Sequence, residues 1–475
     1  MTKKTGLILG PIFFLIIFFL PFEILGNEAD NVLAVAAWMV IWWITEAVSI
    51  SVTSLIPLAF FPFLNIMEIK DVAANYGSPI VFLFFGGFVM ALALEKVNLH
   101  KRIALTIIKI TGTSANRVIL GFMIATAFLS MWISNTATAV VMLPIGLSVI
   151  DLLINDEDGF TKSDKNFSIA LMLSIAFSAN VGGVATIIGT PPNTVMVGFM
   201  EQQYDADISF LRWMMLGIPF TLIMIVMIYF VLVKFVYPNK LGQRADLAHI
   251  IDEKYAELGP VKATEKRVLI IFIVTMLLWI LRRPLNDILP NLTLTDAGIS
   301  LLAAFALFAI PFRFNKGEFI LEWEDTIKLP WGILILFGGG LALAKAMAEA
   351  GIIDTIGQIV ASNPNLSVIA VGCLLIAVML FMTELMSNVA LVAIFVPVVA
   401  GIAIGLEQEI LHLVIPVTIS SSCAFMLPMA TPPNAIVFAS GYIQVHEMAK
   451  AGIILNLISI LIIISFMIFI VPVIF

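Results

Sequence analysis

Long apolar segments, separated by short charged or turn-forming stretches, run through almost the whole chain. Many approach the roughly 20 residues that a helix needs to cross the hydrocarbon core of a bilayer. The pattern therefore predicts an all-α polytopic membrane protein. The apolar segments lie at about 7–25, 31–48, 50–64, 79–95, 168–199, 212–236, 268–281, 297–312, 331–348, 410–440 and 450–472.

One polar phrase occurs twice inside these segments. Thr-Pro-Pro-Asn stands at 190–193 and again at 431–434, and each copy follows another polar interruption, Ser-Asn-Thr at 134–136 and Ser-Asn-Val at 387–389. Two consecutive prolines remove backbone donors and clash with the preceding turn, so neither segment can continue as one helix. Within a membrane, opened backbone is tolerated only where it is buried in protein or lines a watery cavity. The duplicated interruptions thus predict a binding site between two repeats.

The two Ser-Asn interruptions divide the stretches 117–150 and 366–404. In the first stretch, the arms 118–133 and 137–150 rise about 24 and 21 Å at 1.5 Å per residue. Both are shorter than the hydrocarbon core of roughly 30 Å, which favours a re-entrant hairpin with Ser-Asn-Thr at its tip. The second stretch is less decisive, because 366–386 is long enough to cross. With both taken as hairpins, eleven spans are predicted.

Composition and charge agree with a membrane location. The chain has 475 residues, of which 61% are hydrophobic and 12% charged, whereas soluble domains have roughly 45–50% apolar and about 25% charged residues. With the N-terminus in the cytoplasm, most of the 25 basic residues lie in cytoplasmic loops, as the positive-inside rule requires. Arg282 and Arg283 are exceptions. The C-terminus is then expected outside the cytoplasm.

The repeat extends beyond the double phrase. Phe-Phe-Gly-Gly at 84–87 corresponds to Leu-Phe-Gly-Gly at 336–339, five predicted crossings later. An odd number of crossings turns the second copy upside down, which predicts inverted repeats with substrate bound near the midplane. The predicted organisation is an N-terminal helix in 1–30, a first repeat in 31–236 with its broken helix at 168–199, a cytoplasmic linker in 237–267, and a second repeat in 268–475 with its broken helix at 410–440.

The polar groups at the interruptions suit an anion and a small cation. Amides at helix ends, Asn N–H groups and Ser or Thr hydroxyls can donate to a carboxylate. Carbonyl, Asn and Ser oxygens suit Na+. Two anion half-sites favour a substrate with a negative group at each end, a dicarboxylate. The sequence contains no phosphate-binding Gly-rich loop with Lys-Ser/Thr, no paired-His metal motif and no nucleophile–base pair, so neither an enzyme nor a nucleic-acid partner is expected. An anion channel is a remote alternative.

Two acidic residues in apolar surroundings admit two interpretations. Glu46 and Glu384, the latter three residues before Ser387, could be structural hydrogen-bonding groups or could position the site, since carboxylates within membranes are commonly functional. Cys373 and Cys423 both lie in apolar stretches, which favours small buried residues over a disulfide or metal site.

These motifs, together with Trp-Trp-Ile-Thr-Glu at 42–46, resemble the divalent anion/sodium symporter family. The resemblance implies eleven spans plus two re-entrant hairpins, a homodimer, and a transport domain that moves as an elevator against a scaffold. It implies substrate contacts at Ser134, Asn135, Thr136, Thr190, Ser387, Asn388, Val389, Thr431 and Pro432. It implies one Na+ site at Ser130, Ser134, Asn135 and Gly189, and another at Thr383, Met386, Asn388 and Ala430, partly through backbone carbonyls.

The chain departs from the family at the second tip, where Val389 replaces the usual Thr. A lost hydroxyl costs about 0.5–1.5 kcal/mol if water replaces it, so substrate choice or coupling could differ. The expected function is transport of C4–C5 dicarboxylates (succinate, malate, fumarate or 2-oxoglutarate) across a bacterial plasma membrane, with no cofactor beyond a coupling Na+. Na+ symport and sodium-independent exchange are both open, and so is a tricarboxylate or sulfate carrier.

Overall fold

The structure is a computed structural model that describes residues 3–20, 27–112, 114–154, 161–241, 245–289, 291, 293–313, 318–363 and 366–475. Parts of the predicted segments 1–30 and 237–267, and the basic residues Arg244 and Lys316, lie outside these ranges.

The described chain is almost entirely helical. The helices before the central linker are α1 Lys3–Phe19, α2 Asn27–Thr45, α3 Ile50–Thr53, α4 Ile56–Phe63, α5 Ile69–Tyr76, α6 Pro79–Lys96, α7 Leu99–Thr111, α8 Ala115–Ser130, α9 Asn135–Ile154, α10 Lys162–Gly182, α11 Pro191–Tyr204 and α12 Phe210–Tyr229. A 3₁₀ turn, Gly183–Ala185, follows α10, and α12 continues as a π-helix over Phe230–Val236.

The linker and second half contain α13 Ala245–Glu257, α14 Ala263–Ile288, α15 Asp296–Ala309, α16 Trp331–Glu349, α17 Ile352–Ala361, α18 Val368–Met382, α19 Asn388–Gly405, α20 Ile410–Ser420, α21 Pro432–Phe438, α22 Val445–Phe469 and α23 Val471–Ile474. Two short antiparallel strands, β1 Pro311–Arg313 and β2 Glu318–Phe319, and a 3₁₀ helix, Trp323–Lys328, connect α15 to α16. These strands are an exception to the all-α prediction.

Among the described residues, seven helices are long and apolar enough to cross a membrane, and several other apolar helices have 10–17 residues. The all-helical membrane class is therefore confirmed, while the count of eleven spans stays a prediction. The predicted segment 50–64 is divided into α3 and α4. Pro57 occupies the first turn of α4, where a missing N–H costs no helical hydrogen bond.

Several predicted boundaries are displaced. Position 30 lies inside α2, and position 267 lies inside α14. The broken helix predicted at 168–199 runs instead from the start of α10 to the end of α11, over 162–204. Its first turn is polar, and Thr161 and Asp164 form a capping box that starts the helix earlier than hydrophobicity indicates.

Short amphipathic helices occupy much of the chain that lies between the predicted apolar segments. The predicted linker contains α13, which packs against α7 and α9. Arg102 on α7 donates through Nε to Glu265 Oε2 at 2.6 Å and through Nη2 to Gly259 O at 3.0 Å. The guanidinium also lies 5.5 Å from the centre of the Tyr255 ring. The segment between the halves is therefore fastened to α7 by a buried ion pair.

The chain leaves the helical conformation at all four polar interruptions. These are 131–134 between α8 and α9, 186–190 before α11, 383–387 between α18 and α19, and 421–431 between α20 and α21. Helices of opposite halves pack across these openings, α9 against α21 and α19 against α11. The aromatic rings of Phe177 and Phe425 meet with centroids 5.1 Å apart. The two halves are thus interleaved around the interruptions.

Candidate functional site

The first half-site is a group of oxygens at the end of α8, defined by Ser130, Asn135, Ala179 and Gly189. Ser130 Oγ lies 2.6 Å from Asn135 Oδ1 and 2.7 Å from Ala179 O. Asn135 Oδ1 also faces Ala179 O and Gly189 O, each at 3.2 Å. One hydroxyl proton cannot satisfy all of these acceptors. With the Asn135 amide turned round, its nitrogen lies 2.6 Å from Ser130 Oγ and 3.2 Å from both Ala179 O and Gly189 O, and it can donate to them.

The second half-site repeats this arrangement at the end of α18, with Thr383, Asn388 and Ser421. Thr383 Oγ1 lies 2.6 Å from Asn388 Oδ1 and 2.9 Å from Ser421 O. Thr383 thus takes the place of Ser130, and Asn388 that of Asn135. Met386 is half-buried and Ala430 is buried within the two neighbouring interruptions. Among the described residues there is no cluster of three or more His, Cys, Asp or Glu that could hold a metal ion, so neutral oxygens would be the ligands.

The asparagine of each Thr-Pro-Pro-Asn phrase closes its own loop. Asn193 Nδ2 donates to Gly183 O at 3.2 Å and to Thr186 O at 2.9 Å. Asn434 Nδ2 donates to Ala424 O and Leu427 O, both at 3.1 Å. Both side chains are fully buried. The two prolines open the helix, and the asparagine that follows them satisfies the carbonyls that this opening exposes.

Different hydrogen bonds connect the loop before α11 and the loop before α21 to the interruption that precedes each of them. In the first half, Thr186 Oγ1 donates to Met131 O at 2.6 Å and accepts from Gly189 N at 3.0 Å. In the second half, the Glu384 carboxylate accepts the backbone N–H groups of residues 425, 426 and 427 at 2.8–3.2 Å. It also accepts from Asn456 Nδ2 on α22 at 2.7 Å. Glu384 is buried and acts as a hydrogen-bonding group that fixes this loop, whereas a role in positioning the site stays a prediction.

Glu46 differs from Glu384 in every respect. It follows the end of α2 with a positive φ of 44°. Its carboxylate lies 3.8 Å from Lys3 Nζ, and 55% of its side chain is exposed. No hydrogen bond of its side chain is observed within the described part of the chain.

Each of the four interruptions ends at a helix N-terminus. At α9 and α19, free N–H groups and the helix dipole favour an anion. Helices α11 and α21 instead begin with two prolines, which have no N–H to donate. Ser134 Oγ accepts from Ala137 N at 3.2 Å, and Ser387 is the N-cap of α19. Thr190 and Thr431 are the N-caps of α11 and α21. At the tips, Ser134, Asn135, Ser387, Asn388 and Val389 are half-buried and Thr136 is exposed; in the loops, Thr190 and Thr431 are buried and Pro432 is exposed.

Sequence reasoning did not select Asn180, Thr186, Asn193 or Asn434. Asn193 and Asn434 belong to the duplicated phrase, so their repetition was the available signal. Asn180 is an isolated amide in an apolar helix, and its role depends on contacts with the other half. Its Nδ2 approaches Thr431 Oγ1 and Asn434 Oδ1 at 3.1 Å each and Ala424 O at 3.3 Å.

Comparison with known proteins adds independent information. The family model described as "Sodium:sulfate symporter transmembrane region" matches residues 1–474. The chain is 39% identical to the sodium-dependent dicarboxylate transporter SdcS of Staphylococcus saprophyticus over 479 residues, covering 99% of this chain and 92% of that protein. It is also 39% identical to SdcS of Staphylococcus aureus (strain bovine RF122 / ET3-1) over 474 residues, covering 98% and 91%. These relatives are named as transporters rather than enzymes.

Two solved structures share the fold at low sequence identity. MtrF of Neisseria gonorrhoeae, described as illuminating a class of antimetabolite efflux pumps, aligns with a TM-score of 0.59 and 14% identity over 98% of this chain and 95% of that chain. The YdaH transporter of Alcanivorax borkumensis aligns with a TM-score of 0.59 and 13% identity over 84% and 87%. The family match over nearly the full length agrees with the motif resemblance: the chain belongs to the sodium:sulfate symporter family, the divalent anion/sodium symporters.

Proposed function

We propose that this protein is a secondary active transporter that carries C4–C5 dicarboxylates together with Na+. The observation that carries the proposal is the duplicated oxygen group: Ser130 with Asn135, and Thr383 with Asn388, each beside a backbone carbonyl. Each group adjoins a helix N-terminus that can receive one carboxylate. Na+ bound among these oxygens would offset the substrate's charge, because the half-sites contain no basic side chain. The names of the curated relatives favour sodium coupling over exchange.

The assignment of a dicarboxylate substrate rests on the two half-sites, each of which can bind one carboxylate. In this proposal Ser134, Asn135, Thr136 and Thr190 contact one carboxylate, and Ser387, Asn388, Val389, Thr431 and Pro432 contact the other. Ser130, Gly189, Thr383, Met386 and Ala430 complete the two Na+ sites. Val389 leaves the second tip without the hydroxyl that Thr136 supplies at the first. We expect Val389→Thr to leave folding unchanged and to shift substrate preference or the Na+ requirement.

The finer architecture belongs to the same proposal. It comprises eleven crossings and two re-entrant hairpins in inverted repeats, an elevator movement of the interleaved helices against a scaffold, and a homodimer in a bacterial plasma membrane. The N-terminus would be cytoplasmic and the C-terminus extracytoplasmic. Cross-linking in membranes tests the dimer, and labelling of single cysteines placed near each terminus tests the orientation.

Uptake of labelled succinate into proteoliposomes tests the function. A requirement for an inward Na+ gradient supports symport, whereas uptake that requires internal dicarboxylate without Na+ supports exchange. Asn135→Ala and Asn388→Ala should each remove uptake, while Glu46→Gln, a change at an exposed acid whose carboxylate lies beside Lys3, should not. Absence of transport for succinate, citrate and sulfate in both formats would refute the proposal.

A further inference from the structure

The consecutive residues Ala179 and Asn180, near the end of α10, contact the first half-site and the loop of the second half. The carbonyl of Ala179 accepts from Ser130 Oγ at 2.7 Å and belongs to the first half-site. The side chain of Asn180 reaches the other half, where Nδ2 lies 3.1 Å from both Thr431 Oγ1 and Asn434 Oδ1. Both residues are buried. One peptide unit therefore joins the proposed first cation site to the loop of the second half.

The helix that carries this unit is rigid. The residues of α10 from Phe167 to Gly182 are all buried. Because a close-packed interior transmits strain, the end of the helix moves as one unit, and a shift at one contact reaches the other. A cation that fixes Ala179 O therefore also fixes the donors of Asn180. Those donors hold Thr431, the residue after the proposed cation ligand Ala430, and they satisfy the amide oxygen of Asn434.

The second half has no reciprocal connection among the described residues. Ser421 O accepts from Thr383, as Ala179 O accepts from Ser130. However, Ser421 Oγ donates back to Thr418 O at 2.7 Å within its own half. The next residue, Ser422, has a buried hydroxyl with no hydrogen-bond partner in the described part of the chain. The connection thus runs from the first half into the second through a single amide.

We infer that Asn180 is a positioning residue that couples occupancy of the first cation site to the geometry of the second half-site, and so makes Na+ binding cooperative. The inference rests on the proposed sodium-coupled transport. Coupling of this kind requires an element that both sites bias together. The end of α10 is that element, because the first half-site holds its carbonyl and the loop of the second half, which carries Ala430, holds its side chain.

The test is the Na+ dependence of initial succinate uptake by the full-length protein in proteoliposomes. Wild type should show a Hill coefficient above 1. Asn180→Ala should lower it towards 1 and raise the half-saturating Na+ concentration by about 5-fold or more, the lower end of typical coupling between sites. Asn180→Ser gives the first half the serine that the second half has at the corresponding position, 422. This variant should change the Hill coefficient and the half-saturating Na+ concentration in the same direction as Asn180→Ala. Ser422→Ala is the matched control and should behave as wild type.

The possible failures can be told apart. A wild-type Hill coefficient of 1, or an unchanged coefficient in monodisperse Asn180→Ser, overturns the inference and leaves sodium-coupled transport intact. Uptake that is independent of Na+ in wild type instead overturns the proposed function. A merely structural role for Asn180 would lower the apparent melting temperature and the number of active molecules, but it would not change the Hill coefficient.

Discussion

Replacement of Glu384 by Gln tests whether a buried carboxylate holds the loop of the second half. Glu384 Oε1 accepts from Phe425 N at 2.8 Å, Met426 N at 2.9 Å and Asn456 Nδ2 at 2.7 Å. Oε2 accepts from Leu427 N at 3.1 Å. Gln can keep one accepting oxygen, but its NH₂ group would then face the N–H of Leu427, so one donor loses its partner.

The magnitude follows from these bonds. A buried donor without a partner costs about 1–3 kcal/mol, and hydrogen bonds to a charged group exceed neutral ones by about 1 kcal/mol. We therefore expect Glu384→Gln to destabilise the protein by about 2–4 kcal/mol. Glu384→Ala should cost more, because it leaves every one of these donors without the carboxylate. Transport should fall as well, since the same loop continues to Ala430 and Thr431.

Thermal unfolding in detergent, followed by fluorescence-detected size exclusion, measures the stability change, and succinate uptake measures the functional one. Glu46→Gln is the matched control. Its carboxylate is mostly exposed and lies 3.8 Å from Lys3, and exposed ion pairs contribute about 0–1 kcal/mol. A Glu384→Gln protein that melts and transports like wild type would show that the carboxylate does not hold the loop.

Three further predictions follow from single contacts. Asn135→Ala and Asn388→Ala should reduce succinate uptake to background. The protein should stay monodisperse, because the serine before each asparagine still caps the helix that follows. Uptake at the wild-type rate would show that the two Ser-Asn interruptions have only a structural role. Gly183→Ala should abolish Na+-dependent uptake, since a Cβ there would lie 2.5 Å from Asn135 Oδ1, and normal Na+ dependence would contradict this. Arg102→Ala should lower the melting temperature, since leaving Glu265 buried and unpaired costs about 3–5 kcal/mol, and an unchanged temperature would contradict the ion pair's importance.

The sequence could locate the interruptions because proline and local polarity act within a few residues of chain. Double proline forbids a continuous helix wherever it stands, so the openings near 190 and 431 follow from chemistry alone. The segments 118–133 and 137–150 on either side of Ser134 are each too short to cross the hydrocarbon core, so their lengths also indicate an interruption there. The helix starts could not be placed to the residue, since α10 begins at Lys162 in a polar turn with a capping box rather than at the first apolar residue.

Roles that depend on distant partners could not be predicted. Glu46 and Glu384 are the same residue type beside apolar segments, yet one is exposed after a helix end and the other accepts buried N–H groups from residues 41–43 positions away. The role of Asn180 depends on residues 244–254 positions away. The sequence predicts a linker at 237–267, but it could not show that α13 within this linker packs on α7 and α9, which lie far earlier in the chain.

The bonding of the opened backbone bears on where a cation would bind. In the first loop, Val181 O and Val184 O accept from Thr221 and Trp213, and the carbonyls of Gly183 and Thr186 accept from Asn193. These donors offset the cost of opening a helix inside a membrane. The carbonyl of Gly189 is different, since its partner is the Asn135 side chain, whose amide can donate to it at 3.2 Å when turned round. The same atoms stand where the family resemblance assigns Na+. A Na+-induced rise in melting temperature that is absent in Asn135→Ala would favour the cation, and an equal rise in both proteins would favour the turned amide.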